Sequence, residues 1–166
     1  MRFLFLIILI ISAQFAFSQS NAPTKKQLLK TFKNSIRQDK SGWISPTSNP
    51  WVICNRDSAF YKADTIELYS ANFHIECCNS INWTFYKKDA FVLTRMKICE
   101  EPTTISAPKA EDFFTIQVRE IDGELILETF CQAQLVDTYK VLKIEKNTYP
   151  KCITLVRLAI KRPLPK

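Results

Sequence analysis

The chain has 166 residues, with 23 Lys and Arg against 16 Asp and Glu, a net charge of +7 and six cysteines. Its two glycines and single histidine exclude a glycine-rich phosphate loop and a His-Glu-x-x-His metal site. The length suits one domain that can bury its own core.

The first segment of the chain has the pattern of an export signal. Arg2 precedes an apolar run over residues 3–11, and Ala16-Phe17-Ser18 then leads to Gln19. This order predicts a secretory signal peptide over residues 1–18, cut after Ser18. The apolar run is shorter than the ~20 residues of a membrane helix, so we expect no stable membrane span. Residues 19–166 would then form a single secreted or periplasmic domain with a net charge of +6.

The basic residues are spread along the chain. Only residues 25–26, 87–88 and 161–162 form adjacent basic pairs, and no basic run alternates with aromatic residues in a nucleic-acid-binding pattern. We therefore expect a solvated basic surface and no nucleic-acid partner.

Residues 24–40, TKKQLLKTFKNSIRQDK, predict the one helix, over about residues 25–40. Thr24 and Gln27 have the spacing of a capping box, and Gly42 is a suitable stop signal. Apolar residues recur at helical spacing at Leu28, Leu29, Phe32 and Ile36. Such a stripe either packs on the body of the protein or docks on a membrane or partner, and we expect the former.

The rest of the chain, over about residues 51–160, consists of short runs rich in β-branched and aromatic residues, separated by turn residues. Residues 100–112 lack periodicity and predict a loop. The predicted strands are Trp51–Cys54, Thr65–Ser70, Phe73–Cys78, Ile81–Tyr86, Phe91–Cys99, Phe113–Ile121, Glu124–Cys131, Leu135–Ile144 and Cys152–Ile160. Consecutive short strands with tight turns are typical of an all-β antiparallel barrel or sandwich.

The turn at Asp122-Gly123 predicts the register of one hairpin. An Asp-Gly pair supplies the positive φ angles of a two-residue turn. Pairing outward from it places Val118 opposite Leu127 and Ile116 opposite Thr129. Alternation then predicts an apolar inner face and a polar outer face that includes Gln117, Arg119 and Glu128. In the same way, Ile81, Trp83 and Phe85 face inward from an earlier strand, with Asn82, Thr84 and Tyr86 outside.

The segments DTIELYSANFHIECCNSINWTFYKKDAFVL (64–93) and FFTIQVREIDGELILET (113–129) resemble the small secreted lipocalin-like proteins of Bacteroidetes. The likeness is an Asp-x-aliphatic-x-apolar strand, a Trp-x-aromatic strand and a late hairpin with Leu-x-Leu, over roughly half of the mature chain. It implies an up-and-down barrel of about eight strands with a short helix, and a possible ligand cavity. The chain departs from that family at its entry strand, where Gly42 and Trp43 are adjacent.

The stretch HIECCNSINWT (74–84) raises a choice between a metal site and disulfides. His74, Glu76 and Cys78 alternate on one strand face, but residues two apart on a strand stand about 6–7 Å apart, which is too wide a spread for one tetrahedral zinc ion. An export signal and an even number of cysteines favour bridges instead. The candidates are Cys54, Cys77, Cys78, Cys99, Cys131 and Cys152. We expect either Cys77 or Cys78 to bond Cys99 and no metal to bind, and leave the remaining connectivity open.

The sequence contains no nucleophile–base pattern that would indicate an enzyme, so we expect a non-catalytic protein without a cofactor. One hypothesis is a secreted lipocalin-like carrier of a small apolar molecule, which an eight-strand barrel can hold. The alternative is a filled barrel that binds another protein, whose identity the sequence does not indicate. The inward residues that would bind the apolar molecule are Trp83, Phe85, Phe91, Phe114, Ile116, Leu125 and Leu127.

Overall fold

The computed structural model describes residues 22–37, 49–70, 77–99, 101–145, 147 and 150–160. Over these residues the fold is mostly β. The helices are α1 (Lys25–Lys33) and α2 (Ala59–Lys62), with 3-10 turns at Arg56–Ser58 and Ala110–Asp112. The strands are β1 (Trp51–Cys54), β2 (Thr65–Tyr69), β3 (Asn79–Lys87), β4 (Ala90–Lys97), β5 (Thr104–Ile105), β6 (Phe113–Ile121), β7 (Glu124–Cys131), β8 (Gln134–Glu145) and β9 (Cys152–Ile160).

Helix α1 begins where the sequence predicts and ends earlier. The Thr24 side chain accepts a hydrogen bond from the Gln27 backbone N–H, and the Gln27 side chain accepts one from Thr24, which is the predicted capping box. At the other end, the Ser35 hydroxyl donates to the Phe32 carbonyl at 2.7 Å. Because that bond and a tight last turn satisfy the terminal carbonyls, the helix stops at Lys33. Residues 38–40 of the predicted helix lie outside the described residues.

Eight strands close into a barrel, as predicted. Antiparallel pairs link them in the cyclic order β3-β1-β2-β9-β8-β7-β6-β4, and pairing between β3 and β4 completes the ring. The order departs from a strict up-and-down path at one place, because β1 lies between β2 and β3. Strands β2 and β3 consequently run in the same direction, since both are antiparallel to β1.

The predicted strands agree with the structure except in two regions. Cys77 and Cys78 precede β3 and belong to no strand, while residues 73–76 of that predicted strand lie outside the described residues. The predicted loop over residues 100–112 contains the short strand β5, which pairs with the end of β4. Ser106 fixes this pair, since its hydroxyl accepts from the Arg95 N–H and its own N–H donates to the Arg95 carbonyl, each at 2.9 Å.

The β6–β7 hairpin has the predicted register. Val118 pairs with Leu127 and Ile116 with Thr129. Asp122 and Gly123 turn the chain with φ angles of 51° and 78°, in the left-handed region that such a turn needs.

The prediction of a solvated outer face is wrong at several positions. Glu128 lies on the outer face of β7 but is only 6% exposed, and Arg119 forms an ion pair with it. Asn82 and Thr84, on the side of β3 opposite Trp83, are buried as well. Alternation along a strand fixes the side to which a residue points, whereas burial depends on what packs over that side.

Two disulfides join the adjacent cysteines to different partners. Cys54 bonds Cys77 and Cys78 bonds Cys99, with Cα–Cα distances of 5.8 and 5.0 Å. The expected bridge to Cys99 is thereby confirmed. Cys131 and Cys152, the other two candidates, form no disulfide.

The last two cysteines, at the end of β7 and the start of β9, lie beside opposite ends of β8, which explains why no bridge joins them. Cys131 pairs with Gln134 at one end of β8, and Cys152 pairs with Glu145 at the other. At ~3.3 Å per residue these ends lie roughly 35 Å apart, far beyond the reach of a disulfide.

Among the described residues, no helix is long and apolar enough to cross a membrane.

Candidate functional site

The interior of the barrel contains a continuous stack of aromatic rings. Trp83 stacks on Phe91 with ring centroids 4.4 Å apart, and Phe91 stacks on Phe114 at 5.2 Å. Phe85 lies 5.3 Å from Phe91, and Tyr139 reaches Trp83 from the opposite wall at 6.1 Å. Rings at these separations are in van der Waals contact, so these side chains pack against one another between the walls.

Helix α1 covers one mouth of the barrel. Phe32 stacks on Phe85 with centroids 4.1 Å apart and meets Trp51 edge-on at 5.9 Å. Phe32 is fully buried, and Leu28, one turn earlier, joins it in the core. The predicted apolar stripe therefore packs on the protein's own body.

Helix α2 covers the opposite mouth, beyond the far end of β1. Phe60 packs edge-on against Trp83 at 6.5 Å. The Arg157 guanidinium lies over the Phe60 and Tyr139 rings and donates to the carbonyls of Phe60 and Ala63. Sequence reasoning missed this helix, because it has one turn only and follows two non-glycine residues of positive φ.

The structure brings all seven predicted ligand-binding residues into this one core. Each is at most 8% exposed, and they belong to a single hydrophobic cluster: Trp83, Phe85, Phe91, Phe114, Ile116, Leu125 and Leu127. Four of the clefts on the described part of the chain have volumes of 250 to 480 Å³. Of the seven residues, only Leu125 lines one of these four clefts.

Two of the clefts adjoin beside α1 and form what we call the basic groove. Their volumes are 330 and 480 Å³, and they share Thr31, Asn34 and Lys151. The cations that line the groove are Lys26, Lys30, Arg37 and Lys151, and its neutral polar residues are Gln27, Thr31, Asn34, Ser35, Asn49 and Ser70. No described residue that lines the groove has a carboxylate.

Hydrogen bonds fix the base of the basic groove. The Trp51 indole N–H donates to the Ser35 hydroxyl oxygen at 3.1 Å, which holds the end of α1 against the start of β1. The Ser70 backbone N–H donates to the Lys151 carbonyl, and the Lys151 N–H donates to the Ser70 hydroxyl, both at 3.0 Å. These bonds hold the end of β2 beside the start of β9, so Lys151 is placed across from α1.

The four cations of the basic groove differ from many others on this surface. None of the four forms an ion pair with a carboxylate among the described residues, and all four are exposed. Elsewhere the described residues form five ion pairs: Arg95–Asp112, Lys109–Glu111, Arg119–Glu128, Lys140–Glu124 and Lys143–Glu145. The basic groove thus brings four exposed cations together without a carboxylate among its described lining residues.

Part of the basic groove could be predicted from the sequence. Lys26 and Lys30 lie one turn apart on the side of α1 away from Leu28 and Phe32, and Arg37 continues this spacing in the sequence, so a basic stripe could be predicted beside the apolar one. Lys151 is more than a hundred residues away and could not be placed there without the strand register. The dispersed basic residues of the sequence are thus partly clustered by the fold.

The described residues include no group of three or more His, Cys, Asp and Glu side chains that could hold a metal ion. His74 and Glu76, which the sequence suggested for such a site, lie outside the described residues, and Cys78 is in a disulfide. The Cys152 thiol lies on the outer wall, where burial and then the charge of Glu67 raise its pKa above the ordinary value.

Comparison with protein-family models, with curated proteins and with solved structures finds no significant match to the chain.

Proposed function

We propose that the chain is a secreted or periplasmic, non-catalytic binding module that recognises a protein partner through its outer surface. The observation that supports it best is the filled interior, in which a ring stack runs from Phe32 at one mouth to Phe60 at the other. A barrel of eight strands has room either for its own side chains or for one small ligand, and here the rings occupy that room.

The compartment is part of the same proposal. Two disulfides agree with an oxidising environment, because cytosolic thiols are kept reduced. The expected signal peptide would direct the chain there, although residues 1–21 lie outside the described residues.

The fold also suits the carrier hypothesis, which stays a prediction, and one experiment separates the two functions. Fluorescent fatty-acid and retinoid analogues would be titrated into the wild type and into Trp83→Ala, with Phe113→Ala as the control. Phe113 is 45% exposed, on the other side of β6 from Phe114. We expect no wild-type binding below a Kd of roughly 100 μM, about −5.5 kcal/mol.

The two functions predict different effects of Trp83→Ala on probe binding. In a filled barrel, Trp83→Ala opens an apolar cavity, so probe binding stays absent or increases. In a carrier, the same change removes part of the pocket wall and weakens binding. The proposal would be contradicted if the wild type binds a probe tightly, Trp83→Ala weakens that binding and Phe113→Ala leaves it unchanged. Circular dichroism must show that both variants are folded.

A further inference from the structure

We propose that the basic groove binds an acidic segment, rich in Asp and Glu, of the partner protein. This inference rests on the proposed function, since it assigns the recognition surface of a barrel whose interior is filled.

The charge of the basic groove determines the class of partner. Lys26 and Lys30 lie on one exposed side of α1, Arg37 follows the helix end, and Lys151, the residue before β9, lies across the groove. Charges without a carboxylate partner in the described part of the chain keep their attraction for an external anion. An acidic segment would supply carboxylates to these four cations, as Asp and Glu side chains of the chain itself do for the cations of the five ion pairs.

The neutral lining favours a peptide over other anionic polymers. Asn34 offers an exposed side-chain amide, which can both donate to and accept from a peptide backbone, and the exposed Gln27 amide keeps its N–H groups as donors while its oxygen accepts from Thr24. Nucleic acids bind single-stranded grooves by stacking bases on exposed aromatic rings. The aromatic ring in this lining is that of Trp51, which is 1% exposed and whose N–H is taken by Ser35. Among its described lining residues, the groove therefore has charge and amides but no exposed aromatic ring on which a base could stack.

A direct test is fluorescence anisotropy with a short labelled peptide in which Glu alternates with Ser. The reference peptide has Gln in place of every Glu. The protein would be residues 19–166 with intact disulfides, compared with the double variant Lys30→Glu/Lys151→Glu. The matched control is Lys62→Glu/Lys109→Glu, which changes the net charge equally, since both of its residues are exposed and neither lines the groove.

We expect the Glu peptide to bind, the Gln peptide not to bind, and added salt to weaken the complex. The groove variant should bind about tenfold more weakly than wild type, because two attractions become two repulsions, whereas the control variant should change less than about threefold. An equal loss in both double variants would show a diffuse charge effect and overturn the assignment.

Two other results would also overturn the inference. One is an absence of Glu-peptide binding at low salt. The other is tighter binding of a single-stranded oligonucleotide or a sulfated polysaccharide, at equal charge, than of the Glu peptide. Neither result bears on the filled interior, which the apolar probes test separately, so a failure of this inference is distinguishable from a failure of the proposed function.

Discussion

Phe91→Ala tests whether the barrel is filled. The Phe91 ring is fully buried and has three ring neighbours, Trp83 at 4.4 Å, Phe114 at 5.2 Å and Phe85 at 5.3 Å. Truncating a fully packed Phe typically costs 3–5 kcal/mol, the sum of lost transfer free energy and an unfilled cavity. Since the ring is enclosed on several sides, we expect a loss of about 4 kcal/mol in the free energy of unfolding.

The measurement is guanidinium denaturation of the oxidised protein followed by circular dichroism, with thermal unfolding as a second readout. For a domain of this size, about 4 kcal/mol corresponds to a decrease in Tm of roughly 8–16 °C. The control is Phe113→Ala, whose ring is nearly half exposed and touches the Tyr86 ring only at its edge. It should cost no more than about 1 kcal/mol.

Phe91→Ala should therefore lower the free energy of unfolding several times more than Phe113→Ala does. If Phe91→Ala costs no more than Phe113→Ala, the Phe91 ring does not pack against its neighbours as described. The inner wall would then border open space, and the carrier hypothesis would gain support.

Three further predictions concern the hairpin turn, the number of thiols and the reactivity of one of them. Gly123→Ala should reduce the free energy of unfolding by about 1 kcal/mol, because a φ of 78° disfavours any side chain. No neighbour lies within 4 Å of the new Cβ, so the cost comes from the backbone alone. An unchanged midpoint in chemical denaturation would contradict this. Ellman titration of the denatured, unreduced chain should find two thiols, Cys131 and Cys152, and a count of zero would show a third bridge. In the native protein Cys152 should react more slowly than the same thiol in the denatured chain at pH 8, because its raised pKa keeps it protonated, and its rate should increase as the pH rises.

The strands were predictable because their signals are local. β1, β6, β7 and β9 have the bounds that alternation and turn residues predict, and the Asp122-Gly123 turn fixed one register. A two-residue turn has few allowed geometries, so its sequence determines the pairing of the strands on either side. These local patterns left a barrel or a sandwich open, and the barrel of about eight strands was what the resemblance implied.

The remaining features depend on contacts between distant residues. The end of α1 at Lys33 is set by the Ser35 hydroxyl, although the apolar spacing continues to Ile36, which still packs against the core. The disulfide partner of Cys77 depends on where β1 ends relative to β3. The basic groove needs Lys151 beside α1, which only the pairing of β2 with β9 provides.

The two places where the first half of the barrel meets the second are unequal. Strand β2 pairs with β9 over five positions, whereas β4 pairs with β6 over three, from Ala90 to Val92. Next to this shorter junction, the Arg95 guanidinium reaches the buried Asp112 carboxylate at 3.1 Å, from β4 to the residue before β6. Few ladder bonds hold this junction, so the amide protons along it should exchange with solvent sooner than those of the β7–β8 wall. Of these two junctions, the one between β4 and β6 should open more readily, and the Arg95–Asp112 ion pair is a side-chain contact that spans it.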